Sequence, residues 1–161
     1  MTRRQTEPRR RYTVLAADRR AAAAAAARRP HMPQPMDDAP APESPHGQVA
    51  LAFARALAAG DFETAHRMLS PTLRDEWPPG QLQREYEQMF SYAGETKATG
   101  VELADTWEDW PGKQDADIGG AYVSIIGPNA VFGGDWVEAV AVTVEDNNGR
   151  PLIREIIWGR P

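Results

Sequence analysis

Asn148-Gly149 sits between two runs rich in Val, Ile and Leu, and it constrains the C-terminal part of the chain more tightly than any other pair of residues. Both central positions of a type I′ turn need positive φ, which this dipeptide tolerates, so Asn147 and Arg150 are expected to flank a two-residue hairpin loop. In that register Asp146 faces Pro151 at a pair that exchanges no hydrogen bonds, where a residue without an N–H costs least. Extending the register places Glu145, Thr143, Ala141 and Ala139 opposite Leu152, Arg154, Ile156 and Trp158 on one face. The other face carries Val144, Val142 and Val140 against Ile153, Glu155 and Ile157. A sheet with one wet face alternates apolar and polar residues. Here both faces hold a large apolar set, so both require a cover. The chain's own helices supply one; the other is expected to be a bound molecule or a second copy of the chain, with Ile156 and Val142 marking the two faces.

Upstream, the hydrophobic period is helical. Ser44-Pro45 reads as an N-cap with proline in the first turn, followed by Val49, Phe53 and Leu57 at four-residue spacing and a stop at Gly60. Asp61 caps a second helix with Phe62, Ala65 and Leu69 on one face, and Ser70-Pro71 starts a short turn to Glu76. After Pro78-Pro79, the spacing of Leu82, Tyr86, Met89 and Phe90 predicts a third amphipathic helix ending near Gly94. From there the period is two. Val101, Leu103, Asp105 and Trp107 form one face of a first strand, and further strands are expected over 121–126, 136–145 and 152–158. Helices first and strands last is the α+β class: N-terminal helices packed on a four-stranded antiparallel sheet.

The stretch ALAAGDFETAHRMLSPTLRDEW resembles the NTF2-like (cystatin-like cone) superfamily, with Gly60, Asp61, Phe62 and Ala65 on its GD-aromatic-xxA turn between the first two helices. The resemblance runs over roughly residues 46–161 and implies that the antiparallel sheet is long and curved around the helices, as a cone. It carries no catalytic signature. The superfamily includes isomerases, cyclases, dehydratases, transport factors and noncatalytic binding modules, so the fold leaves the function open.

Charge divides the chain in two. Residues 1–31 hold nine arginines against Glu7 and Asp18, a net of +7, whereas the remainder holds nine basic and twenty-one acidic residues, a net of −12. The alanines at 21–27 offer no amphipathic face, and six prolines follow between 30 and 45. The expected organisation is a disordered Arg/Ala/Pro-rich extension and linker over 1–44, then one folded domain over 45–161. Clustered arginine suits a tail that grips nucleic acid by charge, or an organelle-targeting segment; the reading adopted is a dispensable extension upstream of a start at Met32 or Met36. With residues 32–161 at −12, nucleic acid is not an expected partner. No stretch reads as a membrane span or a secretory h-region, so no membrane association and a cytoplasmic location are expected. The absence of cysteine excludes disulfides, thiolate zinc sites and a cysteine nucleophile.

A general acid or base needs a carboxylate removed from water. Glu138 and Glu155 fall on the valine-rich face of the expected hairpin, where desolvation raises a carboxyl pKa, but Glu155 pairs with Val142, four residues from Glu138, so they form no dyad. Asp105 with Tyr86 or Tyr122 is the alternative acid/base set, since the resemblance implies acids that project from the sheet into a cavity. Against each stands the plainer reading of a rim or ion-paired carboxylate. Trp107, Tyr122, Trp136 and Trp158 are the residues expected to bind an apolar ligand, with Trp110 and Phe132 also at strand ends or loops; Trp158 suits core packing equally well.

His31, His46 and His66 have no ligand spacing. The run Asp-Ala-Asp-Ile-Gly-Gly at 115–120 has glycine at the third oxygen position of a calcium loop and Ile126 at the twelfth, so it reads as a flexible loop, and no metal or cofactor is expected. Gly127-Pro128-Asn129 and Gly133-Gly134 lack the Lys and the helix start of a phosphate cradle and read as turns, and there is no Gly-x-Ser-x-Gly elbow. The functional expectation is a noncatalytic domain that binds a small apolar ligand or a protein partner as a homodimer joined through the sheet. The alternative is an isomerase, cyclase or dehydratase-type enzyme that uses Asp105 or Glu138.

Overall fold

The computed structural model describes residues 44–94 and 97–159, so the expected extension over 1–44 lies, except for Ser44, outside the described residues. Among the described residues, four α-helices, α1 (Pro45–Ala58), α2 (Phe62–Arg67), α3 (Pro71–Glu76) and α4 (Pro79–Met89), precede four strands. The strands β1 (Gly100–Trp107), β2 (Asp117–Pro128), β3 (Asp135–Asn147) and β4 (Arg150–Trp158) form one open antiparallel sheet in the order β1-β2-β3-β4. The chain is an α+β protein. Among the described residues no helix is long and apolar enough to cross a membrane.

The helix starts follow from local chemistry. Ser44 Oγ accepts from the Gly47 N–H at 3.2 Å, and Pro45 stands where its missing N–H has no partner to lose. Gly60, at φ +74°, ends the first helix, and Asp61 Oδ1 accepts from the Thr64 N–H at 3.0 Å to begin the second. Ser70 Oγ caps α3 through the Leu73 N–H at 3.4 Å. The faces so positioned bury Phe53, Leu57, Ala65, Leu69, Leu82 and Phe90 against the sheet's inner face, where Val123, Ile125, Val140, Val142 and Val144 are likewise buried. Burial of this apolar set is the main favourable term for the fold. The helical layer is also tied to the edge of β4: Ile153 donates to Met68 O at 2.9 Å and Ser70 donates to Ile153 O at 2.7 Å, a parallel bridge that covers part of an otherwise open strand edge.

The β3–β4 hairpin follows the expected register for four pairs and then departs from it. Asn148 and Gly149 have φ of 57° and 83°, and the pairs Asn147/Arg150, Asp146/Pro151, Glu145/Leu152 and Val144/Ile153 form as the turn dictates. At Arg154 the strand carries one extra residue. Beyond it Thr143 pairs with Glu155, Val142 with Ile156, Ala141 with Ile157 and Val140 with Trp158, so the expected pairs Thr143/Arg154, Ala141/Ile156 and Ala139/Trp158 are not made. A bulge of this kind moves every later residue to the opposite face. Ile156 and Val142 therefore share the inner face, 8% and 1% exposed, instead of marking two different faces.

Two further bulges act in the same way. Ala104 interrupts the β1–β2 ladder between Leu103 and Asp105, and Ile118 interrupts the β2–β3 ladder between Asp117 and Gly119. Leu103 and Thr106 both lie against α1, where a Cβ on Gly47 would stand 3.1 and 3.2 Å from their side chains. Asp105 and Trp107 are turned to the outer face, a correction to the single apolar face expected for β1. Residues 117–120 are the start of β2, not a flexible loop: a Cβ on Gly119 would overlap the His46 ring, and one on Gly120 would overlap Trp107.

Candidate functional site

The sheet divides the residues singled out in the sequence. On its inner side, Glu138 is 7% exposed and accepts a hydrogen bond from the Tyr92 hydroxyl at 2.9 Å. Trp136 is buried beside Phe90, with ring centroids 3.9 Å apart, and Trp158 packs against Trp77 at 5.8 Å. Tyr86, on α4, is buried between Phe62 and Phe90, and burial pushes its hydroxyl pKa up to about 12.

On the outer side, Asp105 is exposed and its Oδ1 accepts from the Thr106 N–H at 2.8 Å, while Tyr122 is its cross-strand neighbour. Glu155 accepts from Thr143 Oγ1 at 3.3 Å and lies 3.6 Å from the Arg154 guanidinium.

The bulges decide which of these groups meet. Asp105 and Tyr86 are on opposite sides of the sheet, so that acid/base set is not assembled; Asp105 and Tyr122 are cross-strand neighbours on the outer face, the one exposed and the other half-buried. Glu155 is carried off the valine-rich face by the Arg154 bulge and away from Glu138. The four residues expected to bind one apolar ligand are split, with Trp136 and Trp158 inside and Trp107 and Tyr122 outside.

The interior is filled by rings. Phe62, Tyr86, Phe90 and Trp136 make a continuous series at 6.0, 4.8 and 3.9 Å, with Phe53 fully buried nearby in the same core. Two open depressions of about 320 and 410 Å³ flank the C-terminal end of α1. Arg55, Thr99 and Val101 line one, and Phe62, Gln83, Glu87 and Lys97 line the other.

The outer face presents a different surface. Trp107, Tyr122, Ile126, Val137, Ala141 and Ile157 do not belong to the core cluster. Register brings Tyr122, Ala141 and Ile157 into one row and Ile126 and Val137 into another, with Ser124 and Ala139 between them. Val137 is 40% exposed. Toward the β3–β4 turn this surface becomes polar. Arg154, freed from the ladder by its bulge, reaches Asp117 with two hydrogen bonds, from Nε to Oδ1 and from the terminal nitrogen to Oδ2 at 2.7 Å. Burial acts to raise the Asp117 carboxyl, but Arg154 and the Gln114 N–H outweigh it and hold it below the usual carboxylate range.

His46 occupies the first turn of α1, 3% exposed, with its ring against Gly119 and its Nε2 without a hydrogen-bond partner. Desolvation lowers its pKa, Lys113 adds to the effect and Glu108 opposes it. The unfolded chain therefore takes up this proton more readily than the folded one, so stability is fully present above the ordinary value of 6.5 and declines as pH falls below it. Thermal unfolding of the wild type should lose more stability than His46→Phe between about pH 7.5 and about pH 5. Equal losses in the two proteins would refute this role for His46.

A second apolar group lies at the end of the molecule formed by the β2–β3 hairpin. Tyr92, Val131, Phe132 and Val137 are the large apolar side chains that stand exposed among the described residues, at 43%, 57%, 79% and 40%. Sequence reasoning singled out Phe132 alone. The available signal was two bulky apolar residues placed between Asn129 and Gly133-Gly134, inside a segment otherwise read as turns.

No family model and no curated protein matches the chain. Among solved structures, the chain is similar to the solution structure of a SEC-C motif containing protein from Rhodopseudomonas palustris. Identity is 12%, the TM-score is 0.48, and the match covers 72% of this chain and 79% of the other. That neighbour is described by its SEC-C motif. The NTF2-like assignment drawn from the GD-aromatic-xxA turn does not stand, since no family model matches the chain. The α+β architecture rests on the helices and the open four-stranded sheet themselves.

Proposed function

We propose that this domain is a noncatalytic protein-binding module that pairs with a second copy of itself through the outer face of the sheet. The observation that carries the reading is the apolar set on that face, Tyr122, Ala141, Ile157, Ile126 and Val137, which lies outside the core cluster although the helices already cover the other face. A half-solvated antiparallel sheet normally presents polar residues to water. A symmetric copy covers such a face with its own equivalent patch and needs no other molecule. A small apolar ligand is less favoured because the interior is packed with Phe53, Phe90, Tyr86 and Trp136. An acid/base enzyme that uses Asp105 or Glu138 is less favoured because Asp105 is exposed on the side of the sheet away from Tyr86, and Glu138 is 7% exposed with its carboxylate hydrogen-bonded to Tyr92.

Sedimentation equilibrium of the full chain tests the reading. The wild type is expected to associate to a dimer in the micromolar range, and Ile157→Lys is expected to remain folded, with a normal thermal transition at low concentration, while sedimenting as a monomer. A monomeric wild type at high micromolar concentration would remove the proposal, as would a variant that dimerises like the wild type.

A further inference from the structure

We infer that the first turn of α1 is a pH-sensitive latch: when the His46 imidazole takes up a proton, its ring leaves the slot against Gly119 and residues 44–47 come away from the sheet while the rest of the domain stays folded. The slot is built for a neutral ring. His46 is 3% exposed, its Nε2 has no hydrogen-bond partner, and only a glycine at 119 leaves room for the ring, which a Cβ there would overlap. An imidazolium carries an N–H on both nitrogens. Held in this slot it buries a charge at an atom with no acceptor, which costs more than burying the neutral ring. Its place as the second residue of α1 adds to that cost, because the N-terminal end of a helix is the positive end of the backbone dipole.

The charged groups that act on the ring come from the segment between β1 and β2, where Glu108 favours the proton and Lys113 opposes it. The first turn of α1 contributes no acidic residue, β1 places Leu103 and Thr106 beside Gly47, and β2 presents Gly119. Asp117, two residues earlier, is committed to Arg154 and the Gln114 N–H. Glu108 is exposed, so a protonated ring gains water and this carboxylate by moving outward. The turn can part from the sheet without the rest of the helix. His46 and Gly47 are buried but lie outside the core cluster, whereas Ala50, Leu51, Phe53, Ala54 and Leu57 anchor the remainder of α1 within it. The turn is closed by the Gly47 N–H on Ser44 Oγ at 3.2 Å and the Gln48 N–H on Ser44 O at 2.9 Å. A helix end held in this way opens at lower free energy than a core strand.

Amide hydrogen exchange of the full chain, followed by NMR and corrected for the intrinsic rate at each pH, tests the latch. One unit below 6.5, the ordinary value for the imidazole, the opened form is favoured by roughly tenfold over its weight at neutral pH. Protection at Gly47 and Gln48 is therefore expected to fall roughly tenfold between about pH 7.5 and about pH 5.5. It should stay far below that of Val140 and Val142, in the middle of β3, at every pH. His46→Phe should abolish the fall, and so should the smaller neutral variant His46→Gln, which keeps the test open if the first does not fold. A wild type without the fall, or neutral variants that retain it, would overturn the latch. Protection at Gly47 and Gln48 equal to that at Val140 and Val142 would overturn it too, because the turn would then open only with the whole domain.

Discussion

Trp136→Ala should cost the folded state about 3–5 kcal/mol, the range for removing a large aromatic from a close-packed core. Trp136 is 2% exposed, its ring lies 3.9 Å from that of Phe90, and it rests on Gly127, where a Cβ would overlap it. Those contacts cannot close over the space left by an alanine, because β2 and β3 hold the floor of the site and the aromatic series from Phe62 to Phe90 holds its wall. Against a total stability of about 5–15 kcal/mol, the loss leaves the domain marginal. Trp136→Phe should recover a good part of it, since it keeps a ring in place and removes an indole N–H that is buried without a partner. Urea unfolding of the three proteins measures both effects; a loss below about 1 kcal/mol for the alanine variant would show that the site is not close-packed.

Arg154→Ala is expected to be nearly as damaging, at about 3–5 kcal/mol, for a different reason. The Asp117 side chain is fully buried, and Arg154 supplies both of its charged hydrogen bonds, with Gln114 N–H adding a third at 2.7 Å. Removing the guanidinium leaves a buried carboxylate with one donor. The pH dependence gives a second signature. In the wild type the folded carboxyl titrates below the ordinary 3.8, so its contribution is present above that value and is lost as pH falls through the lower folded one. Without Arg154, burial is the dominant influence and pushes the carboxyl up, so the acid-unfolding midpoint should move to higher pH. Asp117→Asn in the Arg154→Ala background should restore part of the stability, because a neutral amide costs less to bury than an unpaired charge. No improvement in that double variant would mean that Arg154 acts through packing and not through the charge.

Much of the fold was legible because its signals are local. The caps at Ser44, Asp61 and Ser70 each lie three residues from the N–H they satisfy, and Asn148-Gly149 carries the positive φ of its own turn. Helix faces and strand order followed from hydrophobic period, and a single sheet edge-to-edge in chain order is the simplest way to connect four consecutive strands. The bulges were not legible. Ala104, Ile118 and Arg154 are not glycines and sit in otherwise regular strands, so nothing in their neighbours marks them. Each one inverts the facing of the residues beyond it, which is why Asp105, Trp107, Glu155 and Ile156 all lie on the side opposite to expectation. The GD-aromatic-xxA turn illustrates the same limit at a larger scale: Gly60 and Asp61 explain a helix boundary without identifying a superfamily.

The sequence by itself determined where the helices and strands are, their order and the first four pairs of the terminal hairpin, because caps, turns and hydrophobic period act over a few residues. Only the tertiary structure decided which residues share a face. Arg154 is drawn out of its ladder to a carboxylate thirty-seven residues away, and Gly119 and Gly120 admit His46 and Trp107 only once the strands are paired and α1 is docked. These are contacts between distant segments, and with a side-chain period of two a single unpaired residue is enough to exchange the buried face for the exposed one.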